Sequence, residues 1–208
     1  MRTALAILAK APTPGQAKTR LIPTLGAEGA ARAAAELLAA VCDNARQWMA
    51  GDPERRSVRL WCAPNDDDPL FQQLFTDQQS RAIQCAGDLG ARLAHAARQE
   101  LAEADAVLLL GADAPAVDPS WLAWAVEMLA RRDAALIPAE DGGYTLLGLK
   151  RAEAALFTDM EWGGDQVAAQ TRARIQALGW SWAESAPLWD VDTPDDWARF
   201  CASRAPHG

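Results

Sequence analysis

Apolar segments of strand length alternate with amphipathic helical patterns along the chain, and this alternation restricts the fold more than any other feature. Strands are predicted at residues 4–9, 57–63, 81–85, 106–111, 134–138 and 144–149. Strands that alternate with helices are typical of a parallel sheet with helices on both faces. We therefore expect an α/β fold, a three-layer α/β/α arrangement with a mostly parallel sheet.

Helices are predicted between these strands, where apolar residues recur at spacings of three and four. They cover residues 27–49, the segment around residues 89–97, residues 119–131 and residues 165–178, and a last helix starts at Asp192-Thr-Pro194. With 208 residues, 50% of them hydrophobic, the chain is long enough for one sizeable core. We expect a single domain over residues 1–208.

Composition argues against several classes of function. A formal net charge of -8 disfavours general nucleic-acid binding, so any nucleotide bound should be a small molecule. Since the chain has no apolar run long enough to span a membrane and no signal-peptide pattern, we expect a cytoplasmic protein without a membrane span. The four cysteines lack paired CxxC spacing and there are only two histidines, which argues against a zinc site and against histidine-based catalysis.

The segment that follows the first predicted strand, residues 8–21, has the composition of a phosphate-binding loop. Pro12, Pro14 and Gly15 end the strand and stiffen the loop, and Lys18 and Arg20 follow them. The loop lies at the carboxyl end of the strand, where open α/β sheets bind ligands. Lys18 and Arg20 are therefore candidates to face a ligand.

A carboxylate follows the apolar strand at residues 106–111. Asp113 in Gly111-Ala-Asp113 would lie at the carboxyl edge of the sheet, where it could ligate a divalent cation that bridges to a diphosphate. Alternatively, Asp113 caps the helix that begins near Asp118 or stabilises the turn. Pro115 weakens the capping interpretation, and we favour a site role.

Two more carboxylates lie in Trp189-Asp-Val-Asp-Thr-Pro194, which we interpret as a short apolar strand. Strand alternation would place Asp190 and Asp192 on the same side. If this segment reaches the same sheet edge as Asp113, then Asp113 and Asp192 could converge on one metal ion. Asp192 is equally well placed to begin a helix, and both interpretations stay open.

Two glycine-containing loops complete the set of candidate sites. Gly142 and Gly143 in the turn after residue 138 would let the backbone approach a ligand, although an Asp-Gly turn between two strands is also typical of an ordinary hairpin. In Gly87-Asp-Leu-Gly90, Asp88 either caps the following helix or belongs to a loop that contacts a base or sugar.

Five motifs in order resemble those of a bacterial family whose members are usually described as glycosyltransferase-A-like, some of them as arsenosugar-biosynthesis glycosyltransferases. The motifs are Ala-Lys-Ala-Pro-x-Pro-Gly-x-x-Lys-Thr-Arg-Leu, Gly-Asp-Leu-Gly-x-Arg-Leu, Gly-x-Asp-x-Pro, Asp-Gly-Gly-Tyr-x-Leu-x-Gly-Leu and Asp-Val-Asp-Thr-Pro. They span the chain from Ala4 to about Phe200. The same order is more distantly similar to the guanylyltransferase that activates 2-phospho-lactate or phosphoenolpyruvate and to molybdenum-cofactor guanylyltransferases.

The resemblance implies a nucleotide-diphospho-sugar transferase fold and a role for each candidate residue. Nucleotide contacts would come from Ala9, Lys18, Arg20, Asp88 and Gly90, ligands for Mg²⁺ or Mn²⁺ from Asp113 and Asp192, and the acceptor pocket from Asp141, Gly142, Gly143 and Tyr144. Lys18, Arg20 and Asp113 would be catalytic. The chain departs from the related patterns in lacking a double glycine in the first loop and in offering one carboxylate at Gly111-Ala-Asp113.

Three functions stay open from the sequence. The leading hypothesis is a metal-dependent transferase that uses a nucleotide sugar to glycosylate a small-molecule acceptor. The second is nucleotidyl transfer from a nucleoside triphosphate to a phosphorylated small molecule. The third is a non-catalytic nucleotide-binding or interaction module, for which exposed tryptophan pairs (Trp121 with Trp124, Trp180 with Trp182) would indicate a homodimer or partner surface.

Overall fold

The computed structural model describes residues 1–204, which contain one seven-stranded sheet of order β3-β2-β1-β4-β6-β5-β7. The strands are β1 (Thr3–Lys10), β2 (Arg56–Ala63), β3 (Arg81–Ile83), β4 (Ala106–Gly111), β5 (Ala134–Pro138), β6 (Tyr144–Leu149) and β7 (Trp182–Glu184). Every pairing is parallel except those of β6, which is antiparallel to both β4 and β5. The predicted α/β fold with a mostly parallel sheet is confirmed.

The described residues form six α-helices, of which the first five lie between strands and the sixth follows β7. They are α1 (Ile22–Ala50), α2 (Pro69–Leu74), α3 (Leu89–Leu101), α4 (Pro119–Leu129), α5 (Val167–Ala177) and α6 (Pro194–Ser203). Helix α1 is interrupted at Gly26, where φ is 70° and ψ is 169°. The long uninterrupted part of α1 therefore begins about where the sequence pattern placed it.

Side chains of β1 alternate between the two faces of the sheet, and each face is covered by helices. Leu5 and Ile7 pack in a buried cluster with residues of α1 and α4, whereas Ala6 packs in a second cluster with residues of α3. Ile175 of α5 belongs to this second cluster. Each face thus has its own apolar core, which gives the three layers that the pattern predicted.

Two local predictions were wrong, and two short elements were not predicted. Residues 189–192 form no strand, and the isolated bridge between Ala139 and Leu188 ends just before them. Strand β3 ends at Ile83, two residues before the predicted end. The short helix α2 and the edge strand β7 were not predicted as elements, because each has too few residues to show a hydrophobic period.

The tryptophan pairs are not fully exposed. Trp180 is buried, while Trp121, Trp124 and Trp182 are partly buried. The predicted homodimer therefore stays a prediction.

No helix within residues 1–204 is both long and apolar enough to cross a membrane.

Candidate functional site

A cavity of about 380 Å³ opens where the loops leave the carboxyl ends of β1 and β4. The first loop forms one wall with Gln16, Ala17 and Lys18, and the end of β4 with Asp113 forms another. The β5–β6 hairpin and the segment between β6 and α5 close the far side. The cavity thus lies at the sheet edge where the sequence pattern placed the candidate residues.

Lys18 joins the two predicted metal ligands. Its Nζ donates to Oδ2 of Asp113 at 2.7 Å and to Oδ1 of Asp192 at 2.8 Å. Nη1 of Arg20 donates to the other oxygen of Asp192 at 2.8 Å. Two carboxylates and two cations from three distant parts of the sequence therefore meet at one place.

The backbone of the first loop holds Lys18 in position. Gly15 and Lys18 both have positive φ, at 77° and 43°. The amide of Ala17 donates to the carbonyl of Thr13, and the amide of Leu21 donates to the carbonyl of Lys18. A left-handed conformation at a residue other than glycine persists only where the surrounding structure enforces it, and it is enriched at functional sites.

Asp113 is free for a site role because Asp118 caps α4. The carboxylate of Asp118 accepts from the amides of Ser120 and Trp121. A Cβ on Gly111 would lie 2.7 Å from Oδ1 of Asp113, so glycine leaves room for that carboxylate beside the strand end. The capping alternative for Asp113 is wrong, and the approach of its side chain depends on the glycine two residues earlier.

Asp192 is likewise not the residue that caps its neighbouring helix. Thr193 caps α6 and forms a capping box with Asp196, so both groups satisfy backbone donors at the helix start. The amide of Val191 donates to the carbonyl of Asp113 at 3.0 Å. This bond holds the 190–192 segment against the Asp113 loop and brings Asp192 to Lys18.

Charges at this edge act on one another strongly. Burial lowers the pKa of Lys18, but the Asp113 and Asp192 carboxylates outweigh it, and the pKa is raised above 10.5. Burial raises the pKa of Asp190 to about 7, helped by the negative charges of Asp113, Asp141 and Asp192. The carboxylates at this edge thus favour the charged form of Lys18 and the protonated form of Asp190.

Asp190 lies close enough to Asp113, Asp141 and Asp192 for their charges to act on it, but it was not among the predicted site residues. The Asp-x-Asp spacing indicated that it would lie on the same side as Asp192. That spacing could have added Asp190 to the candidate site, because two residues apart in an extended chain share a face.

The β5–β6 hairpin contributes the predicted acceptor residues. Oδ1 of Asp141 accepts from the amide of Gly143 at 2.8 Å, and Asp141, Gly143 and Tyr144 line the cavity. Gly142 has a φ of 92°, and a Cβ there would lie 2.1 Å from the carbonyl oxygen of Asp165. Glycine is therefore required at 142 for close contact with the segment before α5.

Tyr144, the first residue of β6, is partly buried. Its ring lies edge-to-face with Trp162 at a centroid distance of 6.4 Å. Its hydroxyl is buried without a hydrogen-bond partner among the described residues. Burial raises the pKa of this hydroxyl, which keeps it protonated and able to donate.

Of the five predicted nucleotide residues, Lys18 lines the cavity, whereas Arg20 reaches the site only through its bond to Asp192. The other three, Asp88, Gly90 and Ala9, also lie outside the lining. Asp88 caps α3 by accepting from the amide of Ala91 at 2.8 Å. A Cβ on Gly90 would lie 2.3 Å from the carbonyl oxygen of Phe157, so this glycine allows close packing of α3. Ala9 is buried, and its carbonyl accepts from Nε2 of Gln84. The structure gives all three a structural role, and their contact with a nucleotide stays a prediction.

Asp113 and Asp192 supply a donor set that fits Mg²⁺ or Mn²⁺. Both direct a carboxylate oxygen at one ammonium group, so both can reach a common cation position. Within residues 1–204 no group of three or more histidine, cysteine or acidic side chains is arranged to hold a metal ion. Mg²⁺ is usually bound through one or two carboxylates with waters and substrate phosphates, which two aspartates satisfy.

The sequence profile of a family described as "Uncharacterized protein conserved in bacteria (DUF2064)" matches residues 49–164, more than half of the chain. No curated protein matches the sequence. Among solved structures, a candidate nucleotide-diphospho-sugar transferase from Desulfovibrio desulfuricans G20 is similar over 100% of this chain and 90% of its own. It has a TM-score of 0.84 and 26% sequence identity.

Two more distant structures share the fold. CMP:2-keto-3-deoxy-manno-octonic acid synthetase, solved with CTP, matches with a TM-score of 0.60 at 13% identity and covers 99% of both chains. Rv0371C of Mycobacterium tuberculosis H37Rv, solved with manganese, matches with a TM-score of 0.60 at 18% identity, covering 98% of this chain and 100% of its own. The nucleotide-diphospho-sugar transferase fold is therefore confirmed.

Proposed function

Because the chain belongs to the DUF2064 family of bacterial proteins and has the fold of transferases, we propose that it is a metal-dependent transferase that moves a glycosyl group from a nucleotide sugar to a small-molecule acceptor. The observation that most directly supports this proposal is the position of Lys18, whose Nζ lies 2.7 Å from Oδ2 of Asp113 and 2.8 Å from Oδ1 of Asp192. Such a cluster of opposite charges at the carboxyl edge of a sheet suits a bound diphosphate and its cation.

Each charged residue has a task in this reaction. When the bond between the sugar and the diphosphate breaks, negative charge develops on the diphosphate oxygens, and Lys18 and Arg20 stabilise it. Asp113 and Asp192 would hold Mg²⁺ or Mn²⁺, which supplies further positive charge to the leaving diphosphate. The glycosyl carbon then bonds to an oxygen of the acceptor, and the proton of that hydroxyl passes to the leaving diphosphate.

The hairpin would bind the acceptor. Asp141 lines the cavity, and only its Oδ1 is occupied by the amide of Gly143. Its second oxygen can therefore accept a hydrogen bond from an acceptor hydroxyl. Gly143 lies beside it without a side chain, which leaves space for the acceptor.

Nucleotidyl transfer is the second candidate function. The structure solved with CTP and a 4-diphosphocytidyl-2C-methyl-D-erythritol synthase from Anaerococcus prevotii DSM 20548 share this fold, the latter with a TM-score of 0.63 at 10% identity, covering 97% of both chains. The charges of this chain favour the glycosyl alternative. Lys10 and Lys18 are the cations that line the cavity within the described residues, and the carboxylates of Asp113 and Asp141 lie beside them, so a phosphorylated acceptor would meet little net positive charge.

Thermal melting tests the shared part of both candidates. The protein is melted with nucleoside triphosphates and nucleotide sugars, each with and without Mg²⁺ or Mn²⁺. A ligand at about a hundred times its dissociation constant should stabilise the fold by about 2.7 kcal/mol, roughly 5 to 10 °C. If no nucleotide shifts the melt in any condition, the proposal fails.

Product analysis separates the two candidates. Incubation with a nucleotide sugar and pooled small-molecule acceptors should release a nucleoside diphosphate, which ³¹P NMR detects. Release of pyrophosphate from a triphosphate, with no turnover of nucleotide sugars, would instead establish nucleotidyl transfer.

A further inference from the structure

The ammonium group of Lys18 occupies the point at which Asp113 and Asp192 converge. Its side chain is 13% exposed and its Nζ bonds one oxygen of each carboxylate. We propose that Lys18 is an internal counter-ion that holds this site until a divalent cation replaces it, after which Lys18 turns to the phosphates of the nucleotide. The inference rests on the metal site of the proposed function.

The geometry makes the two cations alternatives. Mg²⁺ takes oxygen ligands at about 2.0 to 2.1 Å, and an ammonium donates to the same oxygens at the distances seen here. A metal ion bound by the same two oxygens, Oδ2 of Asp113 and Oδ1 of Asp192, would lie close to the present position of Nζ. Lys18 and the metal therefore compete for one position.

Charge explains why the position needs a cation at all times. Asp113 and Asp192 each place a carboxylate oxygen within 2.8 Å of Nζ, and Arg20 reaches only the far oxygen of Asp192. Without Lys18 the facing carboxylates would repel each other at short range. Replacement by a metal keeps the carboxylates neutralised, whereas simple departure of Lys18 would not.

The displaced lysine has a place to go. Lys18 lines the cavity beside Gln16 and Ala17, so its side chain can reach a ligand bound there without a change of the backbone. A polyphosphate in the cavity attracts the ammonium and supplies further oxygen ligands to the metal. Metal and nucleotide should therefore bind cooperatively, each tighter in the presence of the other.

Titration with Mn²⁺ alone tests the competition. Free Mn²⁺ is followed by electron paramagnetic resonance in the wild type, in Lys18→Met and in Lys10→Met. Lys10 belongs to the same loop, and its Nζ donates to the carbonyl of Gln16 rather than to a carboxylate. We expect Lys18→Met to bind Mn²⁺ about tenfold more tightly than the wild type, because no internal cation has to leave. Lys10→Met should bind as the wild type does.

Equal or weaker Mn²⁺ binding by Lys18→Met would overturn the inference. The same gain in Mn²⁺ affinity in Lys10→Met would also overturn it, because the effect would then come from the loss of any positive charge in the loop. The melting temperature of Lys18→Met should be lower than that of the wild type without Mn²⁺ and should recover with Mn²⁺, because the metal replaces the missing ammonium.

A second measurement uses the wild-type protein, so it does not depend on whether a variant folds. The chain has three lysines, Lys10, Lys18 and Lys150. In protein labelled with ¹³C at lysine Cε, Mg²⁺ should shift the Lys18 signal and leave the other two unchanged. If Mg²⁺ saturates the protein by calorimetry while the Lys18 signal stays in place, Lys18 does not yield to the metal and the inference is wrong.

The outcomes separate this inference from the proposed function. If nucleotide sugars bind with metal but Lys18→Met shows no gain in Mn²⁺ affinity, the exchange fails and the function stands. If no nucleotide binds in any condition while Lys18→Met gains Mn²⁺ affinity, the exchange stands and the function fails. If neither wild type nor Lys18→Met binds Mn²⁺, both the exchange and the metal site fail.

Discussion

Nζ of Lys18 lies 2.7 Å from Oδ2 of Asp113, although the two residues are 95 positions apart in the sequence. The register of the sheet explains the contact. Strands β1 and β4 are parallel neighbours, with Leu8 opposite Gly111, so the loops that follow both strands emerge side by side. A contact that assembles the site is therefore a consequence of strand order.

Replacement of Asp113 by asparagine should remove the metal-dependent part of ligand stabilisation. The substitution keeps the size of the side chain but removes a charge that Mg²⁺ or Mn²⁺ needs. The side chain is 37% exposed, so we expect the unfolding free energy without ligand to change by less than about 1 kcal/mol. Melting with a nucleotide sugar, with and without Mn²⁺, measures both quantities.

Asp118→Ala is the matched control for this experiment. Asp118 caps α4, so its replacement by alanine should lower the unfolding free energy by about 1 kcal/mol. The ligand-dependent shift should stay intact. If Asp113→Asn behaves like Asp118→Ala, Asp113 has a structural role only.

Arg20→Ala should weaken nucleotide binding with little effect on stability. The guanidinium of Arg20 is 64% exposed and bonds Asp192, an arrangement that contributes less than about 1 kcal/mol to the fold. Bonds to a phosphate group are stronger, at about 1.5 to 3 kcal/mol, so we expect a loss of about tenfold or more in nucleotide affinity. Isothermal titration calorimetry measures the affinity, and denaturation in urea measures stability.

Arg131→Ala serves as its control. Arg131 also forms an exposed ion pair, with Glu127 on α4, away from the cavity. Equal nucleotide affinities for the two variants would argue that Arg20 does not contact the phosphates.

The sequence predicted the sheet edge well because strand and helix periods are local. The runs that became β1 and β4, and the loops after them, were recognisable from apolar residues and from Pro12, Gly15 and Asp113. The same reasoning left the role of Asp113 open between a cap and a ligand. Only tertiary contacts resolve this, since Asp118 caps α4 and Lys18 reaches Asp113 from the loop after β1.

Features that depend on long-range contacts could not be predicted. The direct bond of Lys18 to the carboxylates needs the first loop, β4 and the 190–192 segment to be placed together. The raised pKa of Asp190, to about 7, has the same origin, because burial and the charges of Asp113 and Asp141 come from separate elements. A single sequence shows the residue types but not which charges will share a cavity.

The contribution of Glu100 to the free energy of unfolding should decrease as pH rises. This carboxyl is 3% exposed, and burial raises its pKa above 4.5 although Arg59 and the Trp61 indole stabilise the charged form. The folded protein therefore holds a proton that the unfolded chain releases, so this contribution is full below about pH 4.5 and is lost as pH rises through the folded pKa. Glu100→Gln removes it while its Oε1 can still accept from Trp61.

Denaturation in urea between about pH 4 and about pH 8 checks the Glu100 prediction. The difference in unfolding free energy should move in favour of Glu100→Gln as pH rises. The control is Glu103→Gln, which removes the other carboxylate beside Arg59 from an exposed position and should change stability by less than about 1 kcal/mol. A difference that is the same at every pH would contradict the prediction.

Gly142→Ala should destabilise the hairpin more than Gly15→Ala destabilises the first loop. Both glycines have positive φ, 92° and 77°, so alanine costs about 1 kcal/mol or more in backbone strain at each. Only at Gly142 does the new Cβ also meet backbone, at 2.1 Å from the carbonyl oxygen of Asp165, whereas nothing lies within 4 Å at Gly15. We expect about 3 kcal/mol or more for Gly142→Ala, since overpacking adds to strain. Equal losses in urea denaturation would show that the Asp165 segment moves aside and that the hairpin is not held by this contact.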